Sequence, residues 1–190
     1  MKTLYLDIFS GIAGDMFIAA LLDLGVDASK LERELKKLQL GGYHLHIARG
    51  QKSAIAGVKF DVHLAHDHAP DHGHPHHHAD EPHHDHGPEE QRNFSEIIHL
   101  ISRSKLSAWV KQKAIAVFAR IAEAEGKIHG LPPNEVHFHE VGAVDSIVDI
   151  VGAAIALELL GKPRVFASPV VEGTGWIKCA HGRFPVPAPA

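Results

Sequence analysis

The apolar positions of this chain change period from block to block, and each period predicts an element. Thr3 to Ile8 is a short apolar run that predicts a buried strand, and Phe9-Ser10-Gly11-Ile12-Ala13-Gly14-Asp15 predicts a turn. Apolar residues dominate from Asp15 to Leu24, and Gly25 stands where that helix would stop. Asp27 can cap a second helix reaching Leu38, because Leu31, Leu35 and Leu38 fall at helical spacings, and Gly41-Gly42 ends it. The period then changes to two. Tyr43 to Arg49 and Ser53 to Leu64 predict an antiparallel hairpin turning at Gly50-Gln51.

From Ala65 to Gln91 there is no period and almost nothing apolar. Such a stretch cannot offset the entropy of ordering itself, so it is expected to be disordered without metal. Periodicity resumes with Asn93 or Ser95 as a cap, followed by Ile97, Ile98 and Ile101. A longer helix runs from Ser107 to Glu125, with Trp109, Val110, Ala114, Val117, Phe118 and Ile121 on one side. Gly126 and Gly130 bracket its end, and Pro132-Pro133 forbids continuation. Glu135–His139 reads as a short strand, Asp145–Leu160 as a buried helix and Arg164–Val170 as a last strand; the closing proline-rich run reads as an interrupted chain. The fold class expected is α/β or α+β, a mixed sheet with packed helices and a disordered His-rich insert. Residues 1–64 and 92–190 form the body and 65–91 the insert. The first and last strands share a sheet on which the 107–125 and 145–160 helices pack.

Composition narrows the classes. The chain has 190 residues, 45% of them apolar, which suffices for a core and excludes wholesale disorder. Mean hydropathy is −0.06, and no apolar run approaches the roughly 18 residues of a membrane span. Asp7 falls inside what would be the apolar stretch of a signal peptide, and Cys179 is the single cysteine, which excludes an internal disulfide. A cytoplasmic location is expected. Nineteen Lys and Arg against 23 Asp and Glu give −4, but 18 histidines, about a quarter of them protonated at pH 7, roughly cancel it. No basic stripe marks a nucleic-acid partner. Eight of the acids lie between Asp61 and Gln91, where there is no Lys or Arg.

Eleven of the 18 histidines lie between His63 and His86. Within the insert, His66, His68, His72, His74, His76, His77, His78, His83, His84 and His86 are interleaved with carboxylates. Neutral imidazole suits Ni, Cu, Zn and Co, so the stretch offers many overlapping, flexible metal sites. The plainer reading is a solvated linker. Composition does not choose the metal, because intrinsic affinity favours copper in almost any such set.

A second group is His137-Phe138-His139-Glu140, followed by Asp145, Ser146 and Asp149. In an extended segment His137 and His139 share a face, and with the carboxylate of Glu140 they suit a metal with open positions. Asp145 and Asp149, four apart, share a helix face. The plainer reading makes Asp145 an N-cap, the two histidines surface residues and Asp149 solvated. It leaves unexplained an acid in an otherwise apolar helix. A third group is the strand-to-helix loop, where Asp7, Ser10, Gly11 and Gly14 could bring backbone N–H groups to a phosphate. Its spacing matches neither the dinucleotide fingerprint nor a P-loop, so a plain turn with Asp15 in the first helical turn is the other reading. Ala180-His181-Gly182 is a weaker signal, and the adjacent Cys179 reads as packing.

In this order, Asp7-Ile8-Phe9-Ser10-Gly11-Ile12-Ala13-Gly14-Asp15-Met16, the histidine-rich insert, His137 through Asp149, and Ala180-His181-Gly182 resemble the LarC family of nickel-insertion proteins. The likeness covers essentially the whole chain. It implies insertion of Ni2+ into pyridinium-3,5-bisthiocarboxylic acid mononucleotide, giving the nickel-pincer nucleotide cofactor of lactate racemase. It implies a CTP-dependent cyclometallase of the lyase class, with CTP and Mg2+ or Mn2+ bound by a C-terminal region of longer family chains. That region and a homo-oligomer are the implied partners. On this reading the insert gathers Ni2+ and passes it to His137, His139 and Glu140, while the nucleotide phosphate rests near Ser10, Gly11 and Gly14. Asp15, Asp145 or Asp149 takes the proton released when the nickel–carbon bond forms. The alternatives are a non-enzymatic nickel storage or delivery metallochaperone, and a zinc hydrolase built on His137 and His139, for which no water-activating arrangement is visible.

Overall fold

The computed structural model describes residues 2–64, 92–138, 141–179 and 182–187. The histidine-rich insert, 65–91, lies outside them, as do His139, Glu140, Ala180 and His181.

Strand β1 (Thr3–Leu6) pairs in parallel with β4 (Arg164–Ala167), Thr3 opposite Arg164 and Leu6 opposite Ala167. The first and last of the expected strands thus share a sheet. Between them run α1 (Gly14–Asp23), α2 (Ala28–Leu35), a hairpin of β2 (Tyr43–Lys52) and β3 (Ile55–Leu64), α3 (Phe94–Arg103), α4 (Ala108–His129) and α5 (Val144–Leu159). A second hairpin, β5 (Trp176–Cys179) with β6 (Gly182–Pro185), follows β4 and was not foreseen in the sequence. The architecture is mixed α/β, with the pairings distributed over three two-stranded sheets among the described residues.

Local chemistry explains most boundaries. Asp27 Oδ1 accepts from Lys30 N at 3.0 Å and starts α2, and a 3-10 turn at Lys36–Leu38 carries it to left-handed Gln39, before the expected Gly41-Gly42 stop. Asn93 and Glu96 form a reciprocal capping box on α3. Ser107 caps α4, which runs a turn past Glu125 to Gly130 at φ 67.

Two expectations are corrected. The hairpin turns at Ser53-Ala54, both at positive φ, and not at Gly50-Gln51. The register that puts Leu45, Ile47, Phe60 and Val62 on the core continues pairing as far as Lys52 opposite Ile55, which moves the turn outward. Of the expected strand Glu135–His139, the described part, residues 135–138, forms none. Pro132-Pro133 leads into a 3-10 turn at Pro133–Glu135, and the extended residues after it pair only once, His137 with Asn93, because a helix start offers no strand edge.

Helix α5 is the centre of the core, with Ile147, Val148, Val151, Ile155 and Ala156 within 1% of full burial. The α1 helix crosses it closely: a Cβ added at Gly152 would stand 3.0 Å from Ile18 Cδ1. The inner face of β2–β3 covers α1, with Phe60 1% exposed. That packing brings the start of α1 against the first turns of α5.

Candidate functional site

The loop from β1 to α1 leaves the sheet beside the exit of β4. Ser168 N donates to Leu6 O at 2.9 Å, Ile8 N to Ser168 Oγ at 2.7 Å and Val171 N to Ile8 O at 3.2 Å. Asp7 and Ser10 are exposed on this loop, and Asp7 with Gly11 and Ile12 lines a cleft of about 370 Å3 along α1. The loop delivers Ala13 in extended conformation to the start of α1, and Ala143 does the same for α5; neither residue has a side chain that caps.

The two uncapped starts meet through one carboxylate. Asp149, in the second turn of α5, lies over Gly14 so closely that a Cβ there would be 2.7 Å from Asp149 Cβ and 2.7 Å from Oδ2. The backbone of Asp15 gives Asp149 a hydrogen bond. Asp149 therefore caps α1 from across the helix interface, which is why an acid interrupts α5. Its Oδ1 is buried and accepts no hydrogen bond among the described residues. Asp15 Oδ1 accepts from Met16 N and Asp145 Oδ1 from Ser146 N, each at 2.7 Å.

Burial, then the negative charges of Asp15 and Asp145, push the Asp149 carboxyl from 3.8 up to about 6, against the lowering effect of the Asp15 backbone. A carboxyl near neutrality whose free oxygen lacks a donor can accept or release a proton at working pH. The sequence set Asp145 and Asp149 on one helix face and Asp15 at a distant loop; the fold brings all three together.

Other candidate residues lie elsewhere. His137 is exposed between buried Val136 and Phe138, and Phe94 N donates to Val136 O at 3.3 Å, so His137 adjoins the point where the insert rejoins the body. Its expected co-ligands His139 and Glu140 are outside the described residues. Among the described residues no three His, Cys, Asp or Glu side chains are set to hold a metal ion. Gly14 departs from its expected part: it makes room for a carboxylate, and the amides beside it are answered by Asp149 and Asp15. No helix among the described residues is long and apolar enough to cross a membrane.

A mixed α/β body in which three carboxylates meet at a helix junction carries, in its sequence, a histidine-rich stretch suited to transition metals. The chain belongs to the nickel insertion protein family, whose model matches residues 4–190. It is similar to the pyridinium-3,5-bisthiocarboxylic acid mononucleotide nickel insertion protein of Geobacillus kaustophilus (strain HTA426), 52% identical over 190 residues that cover 100% of this chain and 44% of the relative. A protein of the same name from Lactiplantibacillus plantarum (strain ATCC BAA-793 / NCIMB 8826 / WCFS1) is 52% identical over 195 residues, 100% of this chain and 45% of its own length. The chain thus spans less than half the length of these curated relatives. No solved structure matches it.

Proposed function

We propose that this chain supplies the nickel-gathering and proton-accepting part of nickel insertion into pyridinium-3,5-bisthiocarboxylic acid mononucleotide, the reaction named for its relatives. The observation that carries this reading is Asp149, raised to about 6 and held over Gly14 with an oxygen unanswered. Replacing a ring hydrogen by nickel releases a proton that needs a base poised near neutrality. Asp149 is the best placed of the three acids, because burial and the charges of the other two raise its carboxyl and its Oδ1 is buried without a partner among the described residues. The substrate phosphate is assigned to the backbone of Ser10 and Gly11 on the loop before α1. His137, beside the exit of the insert, receives the ion with His139 and Glu140.

CTP and Mg2+ or Mn2+ do not fit the described residues. The amides at the start of α1 face carboxylates, and no acidic set there is arranged for a divalent ion. No step on this chain is routed through them. The C-terminal region implied by the longer relatives is the partner assigned to the outer face of β1 and β4. Tyr5 and Phe166, opposite each other in the register and so on one face, are exposed there, and exposed apolar side chains of this kind mark an interface.

Asp149→Asn in the longer protein should lower the insertion rate roughly 100-fold or more, the usual loss when a general base is removed, while nickel still binds. An unchanged rate would overturn the assignment. If removal of residues 65–91 then abolished every effect of nickel, storage or delivery would take its place.

A further inference from the structure

The outer face of the β2–β3 hairpin carries donors that the carboxylate junction does not use. Its register sets His44 directly opposite His63 and His46 directly opposite Asp61. Alternation sends Leu45, Ile47, Phe60 and Val62 into the core, so these four stand together on the other face. His44, His46 and His63 are exposed. The rings of His44 and His63 stack at 5.1 Å with 13° between their planes, and His46 meets His63 edge-on at 6.0 Å. Asp61 Oδ1 is 3.0 Å from Lys59 Nζ, while Asp61 Oδ2 is buried and accepts no hydrogen bond among the described residues.

We propose that this face is a transition-metal site in which His44, His46 and His63 supply imidazole nitrogens and Asp61 a carboxylate oxygen. Three imidazoles with one carboxylate form a set suited to Ni2+, Zn2+ or Cu2+. Residues directly opposed in an antiparallel pair have Cβ atoms about 4.5–5.5 Å apart, and diagonal neighbours remain within reach of long side chains. Metal–nitrogen bonds of about 2.0–2.1 Å can bridge those separations. In the stacked arrangement the ring nitrogens do not converge, and ligation needs rotation about χ1 and χ2 of the three exposed histidines and of the partly buried Asp61. The buried Asp61 oxygen is what a cation would satisfy. The paired strands fix the Cβ atoms beforehand, so the site loses less entropy on binding than a flexible run of histidines does. This site stands independently of the insertion chemistry proposed above.

The test is modification by diethylpyrocarbonate on the full chain, with and without Ni2+ titrated to saturation, read by peptide mass spectrometry. Cleavage at Lys37 and Arg49 releases His44 and His46 on a peptide free of the insert. Nickel should slow modification of both roughly threefold or more, because ligation occupies the reacting lone pair. His63→Ala leaves the insert intact and should restore the metal-free rate at His44 and His46, with the circular dichroism melt unchanged. Equal modification with and without nickel would overturn the site. So would protection that survives His63→Ala, since it would mean only that the metal-loaded insert covers the hairpin. Zn2+ in place of Ni2+ should give the same protection, and its failure to do so would overturn the assignment to transition metals as a class.

Discussion

Among the described residues three α-helices begin with a cap from their own sequence, and two do not. Asp27, Asn93 and Ser107 answer the first amides of α2, α3 and α4. The α1 and α5 helices start on Ala13 and Ala143, which offer nothing. The uncapped pair is the pair that meets at Asp149. Local caps serve stability alone, whereas at the α1–α5 junction the amides are answered by acids whose charges then oppose one another. At that junction burial and the neighbouring charges of Asp15 and Asp145 raise the Asp149 carboxyl to about 6.

The largest structural test of this contrast is Gly14→Ala. The added Cβ would meet Asp149 Cβ, an atom fixed to the α5 backbone, at 2.7 Å. Overpacking of this kind costs about 1–3 kcal/mol. A thermal melt should show that loss, together with a fall of the Asp149 pKa from about 6 as its carboxyl is pushed toward water. A melt at the native temperature would mean that the two helices are not in contact as described. Asn93→Ala is the matching change at a capped start. It should cost about 1 kcal/mol by the same measurement and leave the Asp149 titration where it was; a shifted titration would deny that the two kinds of helix start are separate.

The smallest effect is the pH dependence. The folded protein holds the Asp149 proton more tightly than the unfolded chain does, since its carboxyl is raised from 3.8 to about 6. Its contribution is therefore fully present below the ordinary value and is lost as pH rises through 6. Half-exposure of the group keeps the change modest. Asp149→Asn should remove this component from denaturant melts at a series of pH values, and should be no less stable than the native protein at pH 7. A variant that loses stability at pH 7 would make Asp149 a structural ligand of α1 first and a base second.

Sequence reading recovered what is local. Asp27 and Asn93 were legible as caps because the oxygen and the amide it serves are three residues apart, and the core stripes of α2 and α3 follow the helical period, whereas Val117, expected on the core side of α4, is exposed. The three acids were legible as candidates, but not their order of importance, because Gly14 and Asp149 are remote in sequence and no spacing shows one covering the other. The hairpin histidines escaped for a different reason. His44 and His46 looked like the polar half of an alternating strand, and only the register sets His63 beside them. An i, i+2 histidine pair facing a third across a predicted hairpin was the available signal. β5–β6 lacked even that, since Gly182 and Pro185 read as irregular chain.

The pairing of β1 with β4 also sets an order of events at birth. Ile8 and Ser168, hydrogen-bonded in the finished sheet, are 160 positions apart. At roughly 5–20 residues per second, β1 leaves the ribosome some 10–30 s before its partner exists. The helices and the β2–β3 hairpin have that interval to assemble without it, while β1 waits unpaired. Nickel arriving early would meet the histidines before the sheet beneath the carboxylate junction had closed.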